Sequence, residues 1–185
     1  MFKQGWYKKA KHIVSENFNQ RPNDLDINLV VVHCISLPEG QYLNNNVEDL
    51  FTNKLDCNSH ISFSDLKGVK VSAHFYIKRT GEIIQFVSVN ERAWHAGVSN
   101  FQGRENCNDF SIGIELQGTD KTPYVPKQYE SLNILLVDLK DAYMTLNSIT
   151  GHQDIAPGRK TDPGKCFDWS KVNSPAGLNK YFKRD

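Results

Sequence analysis

The sequence predicts an α/β (α+β) fold: a single domain, residues 1–185, with a central mixed β-sheet flanked by helices. Three observations carry this prediction. Residues 29–33 form a β-branched run that is apolar on both faces, as in a central strand covered on two sides. Residues 110–116 alternate apolar and other side chains, which is the period of a strand. Residues 132–146 repeat apolar side chains at helical spacing, and a length of 185 residues fits one core.

The other elements are predicted from local patterns along the chain. Residues 46–54 have helical apolar spacing, with Asn46 as a candidate N-cap. Residues 72–78 and 82–87 are typical of a β-hairpin, whereas residues 90–109 show no period and are predicted to be a loop. Pro126 suits the first turn of the long helix. Residues 148–152 predict a short strand, and residues 167–182 a short closing helix.

Composition argues against several functional classes. Lys and Arg number 22 against 21 Asp and Glu, so a formal charge of +1 gives no global field that favours nucleic acid or an anionic membrane. No run approaches the ~18 apolar residues of a membrane span, and the lysines near the N-terminus precede no apolar stretch of a secretory signal. Four well-separated cysteines without a CxxC pair are expected to be reduced thiols. We therefore expect a cytoplasmic monomer without a nucleic-acid or membrane partner.

A zinc site is one interpretation of two histidines and an aspartate. His33 closes the apolar strand at residues 29–33, and His152 precedes Asp162 by ten residues. Two imidazoles and one carboxylate with an open fourth position form a catalytic zinc arrangement, in which zinc lowers the pKa of a bound water. His33 could instead satisfy a hydrogen bond in the core. Asp154 and His74 are rival ligands by type.

Several motifs in order resemble one known family. Residues 151–164, GHQDIAPGRKTDPG, are similar to the closing metal loop of the amidase-2 family, which includes phage amidase lysozymes and peptidoglycan recognition proteins. VVH at 31–33, SAH at 72–74, RAWHAG at 92–97 and CNDFSIGIEL at 107–116 follow in the expected places. Together they resemble the AmpD branch, the 1,6-anhydro-N-acetylmuramyl-L-alanine amidases of wall recycling. The likeness spans about residues 6–169.

The resemblance implies the site residues and the reaction. It implies zinc held by His33, His152 and Asp162, and a muropeptide substrate cut at the amide between (1,6-anhydro-)N-acetylmuramic acid and L-alanine. Glu115 would act as general acid and base, and Lys160 would stabilise the oxyanion. From the residues alone, Glu115 could be an exposed strand carboxylate and Lys160 a solvated loop charge.

Substrate contacts are predicted at four positions. Trp94 and His95 indicate a sugar-facing loop, because an aromatic ring packs on a pyranose and an imidazole bonds hydroxyls or amides. A core tryptophan is the alternative. Lys70 and Asn106 stand where the resembled branch carries arginines, and lysine lacks the bidentate fork of arginine. Cys34 stands where relatives carry asparagine, so recognition of the stem peptide is left open.

Three functions are compatible with this resemblance. The first is a recycling amidase for soluble muropeptides. The second is a non-catalytic muropeptide-binding module, although binding-only members lack a metal ligand and this chain keeps all three candidates. The third is a lytic amidase that acts on intact peptidoglycan.

Overall fold

The computed structural model describes residues 1–23, 26–173 and 177–182. Within them, the helices are α1 (Asn46–Phe51), α2 (Pro126–Ala142) and α3 (His152–Ile155), with 3-10 turns at Ile61–Leu66, Cys107–Asp109 and Trp169–Lys171. The strands are β1 (Phe2–Lys3), β2 (Trp6–Tyr7), β3 (Lys11–His12), β4 (Phe18–Gln20), β5 (Leu29–Ile35), β6 (Phe75–Ile77), β7 (Ile83–Gln85), β8 (Glu91–Ala93), β9 (Asn100–Phe101), β10 (Arg104–Glu105), β11 (Ser111–Gln117), β12 (Ser148–Gly151) and β13 (Asn179–Lys180).

A seven-stranded sheet lies at the centre, in the order β13-β12-β5-β11-β6-β7-β3. The five strands from β13 to β6 run parallel to their neighbours. β7 is antiparallel to β6, which is the predicted hairpin, and β3 runs parallel to β7. The predicted mixed sheet with flanking helices is therefore confirmed.

The two central strands, β5 and β11, separate a core from the site face. Val30 and Val32 on β5 pack in one cluster with Ile112 and Ile114 on β11. The leucines of α2 complete this cluster, at positions Leu132, Leu135, Leu136 and Leu139. Because side chains alternate along a strand, His33 and Glu115 point to the opposite face. The long helix thus covers one side of the sheet, whereas the other side carries a second apolar cluster around Leu29 and Val31, with His33 and Glu115 beyond it toward the strand ends.

Some local predictions were wrong. The helix α1 begins at Asn46, so its N-cap is Asn45, and the side chain of Asn44 accepts the backbone N–H of Asn46. The supposed loop at residues 90–109 contains β8, β9, β10 and a 3-10 turn. β8 pairs with the distant β4, and such pairing leaves no local period in the sequence.

The chain end also differs from the prediction. Residues 167–182 contain a 3-10 turn and β13, which pairs in parallel with β12, where a helix was expected. Residues 174–176 of that segment lie outside the described part. The four cysteines are free thiols, as expected. Across residues 1–23, 26–173 and 177–182, no helix has the length and apolar character that crossing a membrane requires.

Candidate active site

The candidate site lies where the central parallel strands end. His33 on β5 and Glu115 on β11 are register partners, so their side chains stand side by side on the same face of the sheet. His152 follows β12, the other neighbour of β5, and begins α3. Asp162 is brought to His152 by the loop after α3, where its carbonyl accepts the N–H of Gln153 at 2.8 Å. Strand pairing thus assembles residues that are far apart in sequence.

His33, His152 and Asp162 converge on one point. The two Nδ1 atoms of the histidines are 2.9 Å apart, and Asp162 Oδ2 lies 3.1 Å from that of His33 and 3.0 Å from that of His152. Among the described residues, these three form the one group whose arrangement could hold a metal ion. Both histidines are buried and Asp162 is half-buried. The convergence agrees with the ligand set that the resemblance implied.

The chemistry of the three atoms fits a cation. Burial, followed by the neighbouring His152, lowers the pKa of His33 to about 4, so that its ring is neutral at pH 7. His152 donates its Nε2–H to the carbonyl of Ala96 at 3.0 Å, which leaves the Nδ1 of a neutral ring as a bare acceptor. Lone pairs of nitrogen and carboxylate oxygen would repel one another at these distances. Tetrahedral zinc ligands lie about 3.3 Å apart when metal–nitrogen bonds are ~2.0–2.1 Å, so the site suits Zn²⁺.

The two rival ligands have other partners. Asp154 Oδ2 accepts from the N–H of Gly151 at 3.2 Å, at the start of its own helix. His74 is fully buried, and its Nδ1 accepts the N–H of Gly113 at 3.0 Å. Its Nε2 lies 3.0 Å from the carbonyl of Glu91, to which it donates. Neither side chain belongs to the converging group, which supports the interpretation of His74 as a structural residue.

His74 gives a prediction for stability against pH. Burial, followed by the nearby guanidinium of Arg21, lowers the pKa of His74 to about 3, against 6.5 for an exposed histidine. Between pH 3 and 6.5 the unfolded chain binds more protons at this position, so the free energy of unfolding falls as the pH falls. The contribution approaches about 1.4 kcal/mol for each pH unit.

The measurement is denaturant unfolding of metal-free protein from pH 4 to pH 7. His74→Asn is the matched variant, because an asparagine oxygen can accept the N–H of Gly113 but does not titrate. Its slope of unfolding free energy against pH should be smaller than that of the wild type by about one proton. Equal slopes in the two proteins would contradict a neutral His74 in the folded state.

Glu115 is a buried carboxylate rather than an exposed one. The residue is 8% exposed, and its Oε2 has no hydrogen-bond partner within the described residues. Burial, followed by the charge of Asp162, raises the pKa of Glu115 well above its usual range, and Lys160 opposes this shift. A buried carboxyl group without a partner is suited to exchange protons with a bound molecule. The alternative of an exposed strand carboxylate is therefore wrong.

Glu115 and Lys160 share a cavity of about 300 Å³ with the three candidate ligands. Lys160 is exposed and follows α3, where its backbone N–H bonds the carbonyl of Ala156 at 3.0 Å. The lining also includes the apolar side chains of Leu50, Leu66 and Val71. A cavity lined by both polar and apolar side chains can receive a substrate that has polar and apolar parts.

Of the predicted substrate residues, three line the candidate site or the cavity that adjoins it, and the fourth lines a separate cavity. Trp94 is half-buried, lines the cavity of the candidate ligands and donates its indole N–H to Asn19 at 2.6 Å. Lys70 lines an adjoining cavity of about 290 Å³ together with Trp94 and His95. Asn106 lines a different cavity, of about 340 Å³, and Arg159 borders both. Both ring nitrogens of His95 face protein atoms, with Nδ1 3.0 Å from His33 and Nε2 3.3 Å from Ser111.

Sequence reasoning missed Asn108 and Arg159. The side-chain oxygen of Asn108 accepts the backbone N–H groups of His95 and Ala96, at 3.1 and 2.8 Å. Arg159 donates to the carbonyl of Ala96 at 2.7 Å. These bonds fix the segment that approaches both candidate histidine ligands. Their only signal in the sequence was a place inside the resembling motifs, which does not show what either side chain contacts.

Comparison with known proteins agrees with this geometry. Residues 23–165 match the family described as N-acetylmuramoyl-L-alanine amidase. The chain belongs to this family. It is 47% identical over 175 residues to the 1,6-anhydro-N-acetylmuramyl-L-alanine amidase AmpD of Enterobacter cloacae, which covers 94% of each chain. The predicted family and the predicted amidase activity are thereby confirmed.

Solved structures support the assignment of the fold. The crystal structure of a selenomethionine derivative of AmpD superimposes with a TM-score of 0.91 at 46% identity and covers 97% of this amidase and 99% of that chain. A second structure is AmiD from Escherichia coli in complex with the substrate anhydro-N-acetylmuramic acid-L-Ala-D-γ-Glu-L-Lys. It has a TM-score of 0.59 at 30% identity and covers 83% of this amidase and 58% of that chain.

Proposed function

We propose that this amidase uses zinc to hydrolyse the amide between 1,6-anhydro-N-acetylmuramic acid and L-alanine in soluble muropeptides during peptidoglycan recycling. The observation that carries the proposal is the convergence of His33, His152 and Asp162 beside the buried Glu115. The relatives that match nearly the whole chain carry the name of this activity. A cytoplasmic location and a monomeric state remain predictions from the sequence.

Each site residue has a chemical task in this reaction. His33, His152 and Asp162 would hold the metal, which when bound polarises the amide carbonyl and acidifies a water. Glu115 takes a proton from the attacking water and delivers it to the nitrogen of the departing L-alanine. The ammonium of Lys160 stabilises negative charge on the carbonyl oxygen. A buried carboxyl group can hold the proton between the two transfers, because burial disfavours its charged form.

The cavities suggest how the substrate is received. The ring of Trp94 would pack on the apolar face of the sugar, while the apolar wall at Leu66 and Val71 excludes water from the reacting bond. Lys70 and Arg159 border the adjoining cavity and offer positive charge to the carboxylates of the stem peptide. Asn106 would contact the substrate only if the peptide extends past Arg159 into the next cavity.

The test is mass spectrometry of products from two substrates. Zinc-loaded protein is incubated with anhydro-muropeptides and, separately, with intact peptidoglycan. We expect free stem peptide and free anhydro sugar from the soluble fragments, and little release from the intact wall. Chelated protein serves as the control, and its activity should return when zinc is added back.

Two outcomes would contradict the proposal. Release of peptide mainly from intact wall would indicate a lytic amidase. Tight binding of muropeptides without any cleavage, at full zinc content, would indicate a binding module.

A further inference from the structure

The outer nitrogen of the His33 ring faces a second imidazole. His33 directs Nδ1 at His152 and Asp162, and its Nε2 lies 3.0 Å from the Nδ1 of His95. The two rings meet edge to face, with centroids 5.1 Å apart and an angle of 84° between their planes. Histidine ligands commonly donate their second N–H to a carboxylate, a carbonyl or water. Here the acceptor would be another histidine.

The next residues along the chain of contacts decide which nitrogen carries each proton. The hydroxyl of Ser111 donates to the carbonyl of Cys107, which has no proton to give. Its oxygen can therefore accept the Nε2–H of His95, which lies 3.3 Å away. A neutral His95 then has a bare Nδ1, and this atom accepts the Nε2–H of His33. The Nδ1 of His33 is left with a free lone pair that points at the other two candidate ligands.

His95 is itself held on several sides. Its backbone N–H is donated to Asn108, and its ring lies against Gly113 of β11. A Cβ atom at position 113 would overlap the His95 ring, so glycine is required for this close approach. The ring of the buried His74 packs against it at 5.6 Å between centroids. A ring confined in this way cannot turn toward a substrate without leaving His33.

We propose that His95 is a positioning residue, which orients the His33 imidazole and keeps its Nδ1 unprotonated for the metal. The inference rests on the proposed function, because it takes His33 to be a ligand. It replaces the sugar-facing role that the sequence predicted for His95. Both His95 and Trp94 line the cavity, and Trp94 is then left as the one whose ring would pack on the sugar.

Two isosteric variants separate orientation from mere packing. In His95→Asn, the side-chain oxygen takes the position of Nδ1 and keeps an acceptor for His33. In His95→Gln, the acceptor takes the position of Nε2 and lies nearer Ser111. Zinc affinity is measured by competition with a chromophoric chelator, which requires no turnover. We expect His95→Gln to lose about 10- to 100-fold in affinity and His95→Asn to lose much less.

A measurement on the unaltered protein gives a second test. Nitrogen-15 NMR of the histidine rings in metal-free wild type should show His33 with its proton on Nε2. A proton on Nδ1 would overturn the inference, even if one of the variants does not fold. Equal zinc affinity in His95→Asn and His95→Gln, with both folded by circular dichroism, would also overturn it.

A further variant distinguishes this failure from failure of the proposed function. His33→Ala should lose zinc, since it removes the ligand itself. If His33→Ala keeps full zinc, the ligand set is wrong, and the proposed function and the inference both fail. If His33→Ala loses zinc while His95→Gln binds it like the wild type, only the role of His95 fails.

Discussion

Replacement of His152 by alanine is expected to empty the zinc site and to abolish nearly all amide hydrolysis. The variant leaves one imidazole and one carboxylate, whereas catalytic zinc is usually held by three protein ligands. The metal supplies several kcal/mol of stabilisation to the transition state, so turnover should fall by ~10³-fold or more. The folded chain should persist, because alanine also fits the first turn of α3 and the strands that surround it are unchanged.

Elemental analysis of purified protein checks this prediction together with the turnover assay. Wild type should hold about one zinc per chain, and His152→Ala almost none. His60→Ala is the matched control, since it removes a histidine outside the converging group, at the start of the 3-10 turn Ile61–Leu66. It should keep both zinc and turnover. Full zinc content in His152→Ala would show that the ligand assignment is wrong.

Local patterns were sufficient for the elements with strong periods. The apolar run at residues 29–33 became β5, and the leucine stripe became α2, with Pro126 at its first turn. Both patterns arise from burial against the same core, so sequence and packing carry the same information. Short strands such as β8 and β13 exist because a distant partner bonds them. Two or three residues are too few to show a period, and their prediction requires the tertiary structure.

The site was harder to predict from residues alone. Nothing in the spacing of His33 and Glu115 reveals that β5 and β11 are neighbours in register. The alternation of residues 110–116 did place Glu115 opposite the apolar face, and the structure shows why that face still buries it. Loops and side chains beyond the strand ends cover this side of the sheet. Burial of a charged group therefore depended on contacts that the strand pattern does not contain.

For His95, the motif identified the residue but not its role. The resembling segment RAWHAG drew attention to it, but a histidine in a loop beside a tryptophan fits a sugar contact as well as a metal-orienting role. Only the contacts with His33 and Ser111 distinguish the two. Asn108, which fixes the backbone of this segment, could not be found without them.

Cys34, which stands where the resembled branch was expected to carry asparagine, can also be explained in physical terms. Cys34 follows His33 on β5, and its side chain packs against the core on the other face of the sheet. Burial, partly opposed by a hydrogen bond with Tyr124 and reinforced by the charge of Glu115, raises the pKa of its thiol to about 12. A thiol that stays protonated is a poor zinc ligand. Cys34 therefore lies on the other face of the sheet from the ligand group and does not compete with it for the metal.

Replacement of Glu115 by glutamine is expected to separate metal binding from turnover. Glutamine keeps the size of the side chain and can fill the same buried position on β11, but at neutral pH it cannot accept or deliver the proton. His33, His152 and Asp162 are untouched, so zinc content should match that of the wild type. Loss of general acid and base catalysis should lower turnover by ~10²-fold or more.

The measurement pairs zinc content with the initial rate of peptide release from an anhydro-muropeptide. Glu130→Gln, on the exposed side of α2, is the matched control for the change of charge and should behave like the wild type. Glu115→Ala should resemble Glu115→Gln in rate, because both lack the carboxylate that transfers the proton. Near-normal turnover in the two Glu115 variants would remove this residue from the mechanism. Loss of zinc in Glu115→Gln would mean instead that the carboxylate helps to hold the metal, which its position outside the converging group argues against.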